Sequence, residues 1–322
     1  MQPSFSYPVQ ASERDKWILS QRPERNALDP RRPYAFFVED ECSATREVVS
    51  VATVFLTNRE CPWRCLMCDL WRNTLTETVP AGAIPEQIDY ALHRLEPARQ
   101  IKLYNSGSFF DRRAIPAEDY PAIVDRVRSF ERTIVESHPA LIGEACLRFR
   151  DLLPNQLEVA MGLETVHPEI LDRLNKRMTL DQFSAAAEFL HGNAIDLRVF
   201  ILVQPPFMRS VEALKWTQRS IDYAFDCGAT AVTLIPTRGG NGAMEVLAES
   251  GEFSPPLLET LEAAMDYGVG LKRGRVFSDL WDLPQEAVCT DCAALRVARL
   301  REMNLKQYVA PRVVCGSCEG RS

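Results

Sequence analysis

The stretch RECPWRCLMCDLWR, Arg59 to Arg72, places Cys61, Cys65 and Cys68 within eight residues. Three thiols are an odd number for disulfides and one short of the four ligands of a closed structural zinc site. A compact loop spaced Cys-x3-Cys-x2-Cys can instead bind three irons of a [4Fe–4S] cluster and leave the fourth iron without a protein ligand. An open metal position marks a catalytic site rather than a structural one. A zinc site completed from elsewhere, or a chance grouping, is the competing reading. Spacing and context together favour the cluster.

A second group closes the chain. Cys289-x2-Cys292 and Cys315-x2-Cys318 are separated by 22 residues. Four thiolates in two knuckles satisfy a tetrahedral zinc site, which both complete halves favour, although a second Fe–S cluster would use the same ligands. Cys42, Cys146 and Cys227 lie singly, and buried core thiols are expected there.

The elements that must position these groups follow from the apolar pattern. VVSVATVFLT, Val48 to Thr57, is short, nearly continuous and β-branched, as a buried strand should be. Similar runs recur at 101–105, 132–136, 157–162, 197–203 and 230–235, with amphipathic helical stretches at 85–95, 121–130, 179–190 and 211–225 between them. This alternation predicts parallel βαβ units, in a doubly wound sheet or an incomplete barrel. Three units are expected: an irregular N-terminal extension over 1–48, an α/β domain over 49–282 and a Cys-rich tail over 283–322. The cysteine loop then sits at the C-terminal end of the first strand, where active sites of parallel α/β folds gather.

The chain has 322 residues, of which 46% are hydrophobic and 25% charged, and needs no disulfide stapling at that size. No signal-peptide pattern opens it and no apolar run reaches the roughly eighteen residues of a membrane span, so no membrane partner and a cytoplasmic location are expected. A net charge of −7 argues against broad binding to nucleic acid. The basic run around Arg22, Arg25, Arg31 and Arg32 is expected to be a solvated arm.

The loop CPWRCLMCDLW resembles the signature of radical S-adenosylmethionine enzymes, and with LYNSGSFFD, VESHP and GLET…LNK it resembles their archaeosine-synthase-like branch, related to the elongator catalytic subunit. The resemblance implies a partial (β/α)6 barrel. It implies S-adenosylmethionine on the open iron, an electron donor such as flavodoxin or ferredoxin, and a 5′-deoxyadenosyl radical that abstracts a substrate hydrogen. It places Met67, where the family has an aromatic residue, against the adenine, and the Asn105-Ser106-Gly107 turn around the methionine amino group. Glu136, Ser137, Glu164, Thr165 and Gln204 are further candidates for cofactor contact. His138 stands where an arginine is usual and reads as structural before catalytic, and Asn175 and Lys176 fall in a helical stretch. Thr237, Arg238, Gly239 and Gly240 are candidates for substrate contact, and Trp71, Phe109 and Phe110 for lining the mouth.

Members of that branch act on a lysine adduct of a 7-deazaguanine nucleotide in transfer RNA. Three functions are therefore open: modification of a tRNA nucleoside or 7-deazaguanine-type substrate, with the tail and N-terminal arginines touching RNA; radical chemistry on a free amino acid or metabolite; and a non-catalytic metal-binding regulator. The intact cysteine triad speaks against the last.

Overall fold

The computed structural model describes residues 6–281, 283 and 289–319, with backbone alone at 318 and 319. Eight strands form one sheet in chain order: β1 (Ala35–Cys42), β2 (Val48–Phe55), β3 (Gln100–Tyr104), β4 (Arg132–Glu136), β5 (Gln156–Glu164), β6 (Asp196–Val203), β7 (Ala231–Pro236) and β8 (Arg275–Ser278). Strands β2 to β8 run parallel, and β1 pairs antiparallel with β2. Helices α1 (Ala11–Gln21), α2 (Ala83–Leu92), α3 (Tyr120–Val127), α4 (Glu144–Leu152), α5 (Pro168–Arg173), α6 (Leu180–Gly192), α7 (Ser210–Asp226), α8 (Ala243–Glu249), α9 (Leu258–Gly270) and α10 (Ala293–Lys306) complete the order. The fold is a mixed α/β half-barrel, as expected. Thr179 caps α6, its hydroxyl accepting from the Gln182 N–H while the Gln182 side chain accepts from the Thr179 N–H.

Charge pairs prove the curl. In a flat sheet β1 and β6 would lie five spacings apart, about 24 Å. Yet Glu41 on β1 accepts from Arg198 Nη2 on β6 at 2.6 Å, and Glu158 on β5 accepts from Arg275 Nη2 on β8 at 2.9 Å. The sheet therefore closes on itself around a buried ionic layer that also holds Lys102. On the outer face Val54, Leu103, Val159 and Val199 pack into the apolar core beneath the helices.

Two elements differ from expectation. The segment before β2 is not irregular throughout: α1 lies within it, and AFFVEDEC forms β1, with Glu39 and Glu41 bonded to Lys102 on β3. Nor does the tail stand apart from the barrel, because Leu300 and Met303 of α10 join the main core. Arg296 pairs with Glu259 and Glu262 of α9, and Arg299 with Asp266. Part of the expected boundary at 282/283 lies outside the described residues.

Helix α10 also seals the sheet. Gln307, just past its end, accepts the Val276 N–H at 2.7 Å and donates to the Val276 carbonyl at 2.8 Å. Asn304 treats Ser278 the same way at 2.8 and 2.9 Å. Two side-chain amides thus stand in for a ninth strand along the open edge of β8. Replacing Gln307 with Ala strands two buried backbone groups, and urea unfolding should show a loss of about 1–3 kcal/mol.

Candidate active site

The C-terminal ends of the parallel strands surround a cavity of about 290 Å³. Its walls carry Cys61, Cys65 and Cys68 from the loop after β2, Ser106 and Gly107 after β3, Glu136 and Ser137 at the end of β4, and Gly162 and Glu164 on β5. Phe200, Leu202 and Ile235 add an apolar part to the wall. Non-glycine residues with positive φ recur at the strand ends: Ser106 at 54°, Glu164 at 66° and Gln204 at 53°. Such backbone persists only where surrounding contacts over-determine it, and it collects at functional sites.

The cysteine loop is held from several sides. The Leu66 N–H donates to the Leu174 carbonyl, Asn175 Nδ2 to the Arg64 carbonyl at 2.8 Å, and Asn241 Nδ2 to the Leu66 carbonyl at 2.7 Å. All three thiols are half-buried and free of disulfides. Burial pushes Cys65 up to about 12 and raises Cys61 and Cys68 as well. Without a bound cation these sulfurs are neutral; a metal supplies the charge that makes three clustered thiolates tolerable. Gly107 fits the same reading, since a β-carbon there would come 3.1 Å from Cys61 Cβ. Nearby, the fully buried Asn105 Oδ1 has no protein partner. The residues present fit an iron–sulfur cluster.

Not every sequence candidate reaches the cavity. Met67, Ser106, Gly107, Glu136, Ser137 and Glu164 do, whereas Asn105, Thr165 and Gln204 are not among its lining. The Asn105 N–H donates to Glu136 Oε1 at 2.6 Å, so this carboxylate holds the turn after β3 from below. Burial raises the Glu136 pKa against those amide bonds. Thr165 Oγ1 accepts from the His167 N–H, and Gln204 Nε2 donates to Ser254. Thr237 and Arg238 line the mouth, while Gly239 packs on the Glu245 carboxylate. Phe109 and Phe110 are buried against Phe149, away from the cavity, because their turn folds inward. Trp71 is buried too, beneath the Arg22 and Arg25 guanidinium groups.

The arginine arm is likewise corrected. Arg22 and Arg25 are engaged with Glu60 beside the cysteines, and only Arg31 and Arg32 face solvent, at about half exposure. The long acidic partner was invisible as a pairing because it lies 38 residues from Arg22 in the chain.

The structure brings three further residues into the site. Lys176 is not helical; it turns back after α5 and donates to Glu164 Oε1 at 2.5 Å inside the cavity. Burial lowers the Lys176 pKa, but the charge and hydrogen bond of Glu164, together with the Cys65 and Cys68 sulfurs, raise it on balance, so the ammonium stays charged. A β-carbon at Gly162 would fall 2.1 Å from Glu164 Oε1, so the glycine makes room for this pair. Asp279, just beyond β8, faces Arg238 Nη1 at 3.2 Å, and burial raises its pKa. Trp63, between the first two cysteines, stacks on His138 with ring centroids 3.7 Å apart and planes 13° apart.

His138 is pinned at both ring nitrogens. Nδ1 accepts from the Ala140 N–H, which leaves Nε2–H to donate to the Lys176 carbonyl at 3.0 Å. Burial, then the Lys176 charge, lowers its pKa to about 3. It serves as a stacking platform for the loop and not as a proton carrier. The folded state lies below the ordinary value of 6.5, so the unfolded chain binds the extra proton first; stability from this group is intact above 6.5 and falls as pH drops toward 3. Histidine NMR should show this ring unprotonated from pH 8 down to pH 5.

At the tail, the sulfurs of Cys289, Cys292 and Cys315 lie within 4.8 Å of one another, a grouping able to hold a metal. The Cys318 side chain lies outside the described residues.

No family model matches the chain. By sequence it is 29% identical over 222 residues to archaeosine synthase subunit beta of Methanosarcina acetivorans, covering 64% of this chain and 63% of that subunit. The same-named subunit of Thermococcus kodakarensis is 27% identical over 203 residues, covering 60% and 63%. An uncharacterised protein of Methanocaldococcus jannaschii is 25% identical over 251 residues, covering 73% and 69%. The aligned part thus spans just under two thirds of the two named subunits. Among solved structures, Methanocaldococcus infernus Elp3 lacking its N-terminus aligns with a TM-score of 0.49 at 16% identity, over 69% of this chain and 58% of that one. Coproporphyrinogen III oxidase of Escherichia coli, a radical SAM enzyme, aligns at 0.47 and 10% identity, over 84% and 59%. The chain thus carries a CxxxCxxC loop at the mouth of a half-barrel and is similar in sequence to the archaeosine synthase beta subunits. No helix among the described residues is long and apolar enough to cross a membrane.

Proposed function

We propose that this enzyme reductively cleaves S-adenosylmethionine at a [4Fe–4S] cluster held by Cys61, Cys65 and Cys68, and abstracts a hydrogen from a 7-deazaguanine-type substrate in tRNA. The observation that carries the reading is the meeting of three thiols at the strand mouth, with Gly107 opening space against Cys61. When bound, the cluster supplies one electron to the sulfonium, which yields methionine and a 5′-deoxyadenosyl radical. The chain's own residues arrange the reactants. Met67 offers a polarizable apolar surface for the adenine, and the Ser106–Gly107 turn, fixed by Glu136, receives the methionine end. Lys176 and Glu164 offer charged partners in the same cavity, and the Trp63–His138 stack excludes water beside the loop.

The tRNA substrate rests on sequence similarity to the archaeosine synthase subunits. A second reading, radical chemistry on a free small molecule, draws on the cavity's charge. Lys176 and Arg238 are its cations, against carboxylates at Asp69, Glu136, Glu164 and Asp279. A rim so composed lacks the surplus of positive charge that phosphate contacts use. The tail thiols are assigned to zinc, with a second cluster as the alternative.

Anaerobic reconstitution, reduction and incubation with S-adenosylmethionine test the core of the proposal by the appearance of 5′-deoxyadenosine. Unmodified tRNA carrying the deazaguanine adduct and a metabolite extract, supplied separately, distinguish the two substrates. Metal counts on the same sample should give about four irons with one zinc; about eight irons would make the tail a second cluster.

A further inference from the structure

The loop bearing Cys61, Cys65 and Cys68 begins and ends on the same small group of cations. Glu60, immediately before Cys61, accepts from Arg22 Nη1 at 2.7 Å, lies 3.1 Å from Arg64 Nη1, and is bonded to Arg25. The carboxylate and the Arg22 side chain are each less than a tenth exposed. Arg25 also reaches the far end of the loop, donating to the Trp71 carbonyl at 3.0 Å and to Thr74 Oγ1 at 2.8 Å. The Arg22 guanidinium lies over the Trp71 ring at 4.5 Å. The neighbouring Asn26 N–H donates to the Arg72 carbonyl at 3.0 Å. A segment of the N-terminal region thereby ties the two ends of the cysteine loop together.

The group is unbalanced in charge: three guanidinium cations share one carboxylate. A fixed positive excess beside a metal site stabilises whichever redox state carries more negative charge. A [4Fe–4S] cluster on three thiolates becomes more negative when it accepts an electron, so the excess favours the reduced form. Outer-sphere groups of this kind tune potentials without touching the metal.

We propose that Glu60 and the arginines 22, 25 and 64 form a positioning and charge-setting clasp that raises the reduction potential of the group bound by Cys61, Cys65 and Cys68. The inference rests on the cluster assignment above. It differs from a plain structural brace in one respect: removing the anion and removing a cation must act in opposite directions.

The test is an anaerobic redox titration of the reconstituted protein, followed by electron paramagnetic resonance on the signal that disappears in Cys65→Ala. Glu60→Gln, which keeps the size and an acceptor oxygen, should shift the midpoint upward. Arg25→Gln should shift it downward, and Arg25→Lys, which keeps the charge, should leave it near the wild-type value. Shifts of one sign in both glutamine variants, or no shift in either, would overturn the clasp while leaving the cluster in place. If Glu60→Gln fails to assemble a cluster, the Arg25→Gln and Arg25→Lys pair still decides: a downward shift in Gln restored by Lys supports the charge role, and equal potentials refute it. Should the wild type show no signal dependent on Cys65, both the clasp and the cluster assignment fall.

Discussion

Cys65→Ala should abolish 5′-deoxyadenosine formation, by more than about a hundredfold, beyond what loss of an outer-sphere partner produces. The reason is ligand arithmetic. Cys61 and Cys68 alone leave two irons of the cluster without protein ligands, and no other cysteine among the described residues lines the cavity to replace the third. The fold should survive, because the loop is held by backbone and arginine contacts that do not involve the Cys65 sulfur. Near-wild-type circular dichroism with loss of about four irons is the expected pattern. Retention of iron together with S-adenosylmethionine cleavage in this variant would exclude Cys65 as a ligand and return the loop to a structural reading.

Arg198→Ala should unfold the barrel more readily than any change at the mouth. This guanidinium bridges Glu41 and Glu158 across the interior at 2.6 Å each, and its side chain is 3% exposed. Removing one partner of a buried ion pair leaves the other charge uncompensated, at a cost of about 3–5 kcal/mol. Here two carboxylates are left, although Lys102, Arg132 and Arg275 remain to soften the loss.

The pH dependence carries a second signature. Burial pushes Glu158 up, but Arg198, Arg275 and Arg132 outweigh it and hold the pKa at about 2, below the ordinary 4.5. The unfolded chain therefore takes up the proton first. Stability from this group is complete above pH 4.5 and is lost as pH falls toward 2. Without Arg198 the folded pKa rises, so the variant should gain less from raising the pH through that window. Urea midpoints measured from pH 3 to pH 7 check both statements; an unchanged midpoint at pH 7 would mean the ionic layer contributes nothing net.

The chemistry of this protein is written locally and its architecture is not. Cys61, Cys65 and Cys68 lie within one loop, so their spacing alone announces an open metal position, and the strands β2 to β7 announce themselves as apolar runs because parallel strands are covered on both faces. Strand β1 is hidden in the sequence for an equally physical reason. Its alternate residues Glu39 and Glu41 point at Lys102 and Arg198 inside the barrel, so a buried face reads as acidic. Strand β8, four residues long, is too short to carry a period and is completed by the amides of Asn304 and Gln307.

What only the tertiary structure decided is which charges meet. Arg22 finds Glu60 across 38 residues, Lys176 turns back to Glu164, and His138 takes the structural place expected of it through a stack on Trp63. An isolated sequence gives each of these side chains the same standing as any solvated charge. Their roles come from burial, where an ion must find a partner or lose its charge, and burial is set by how the whole sheet curls.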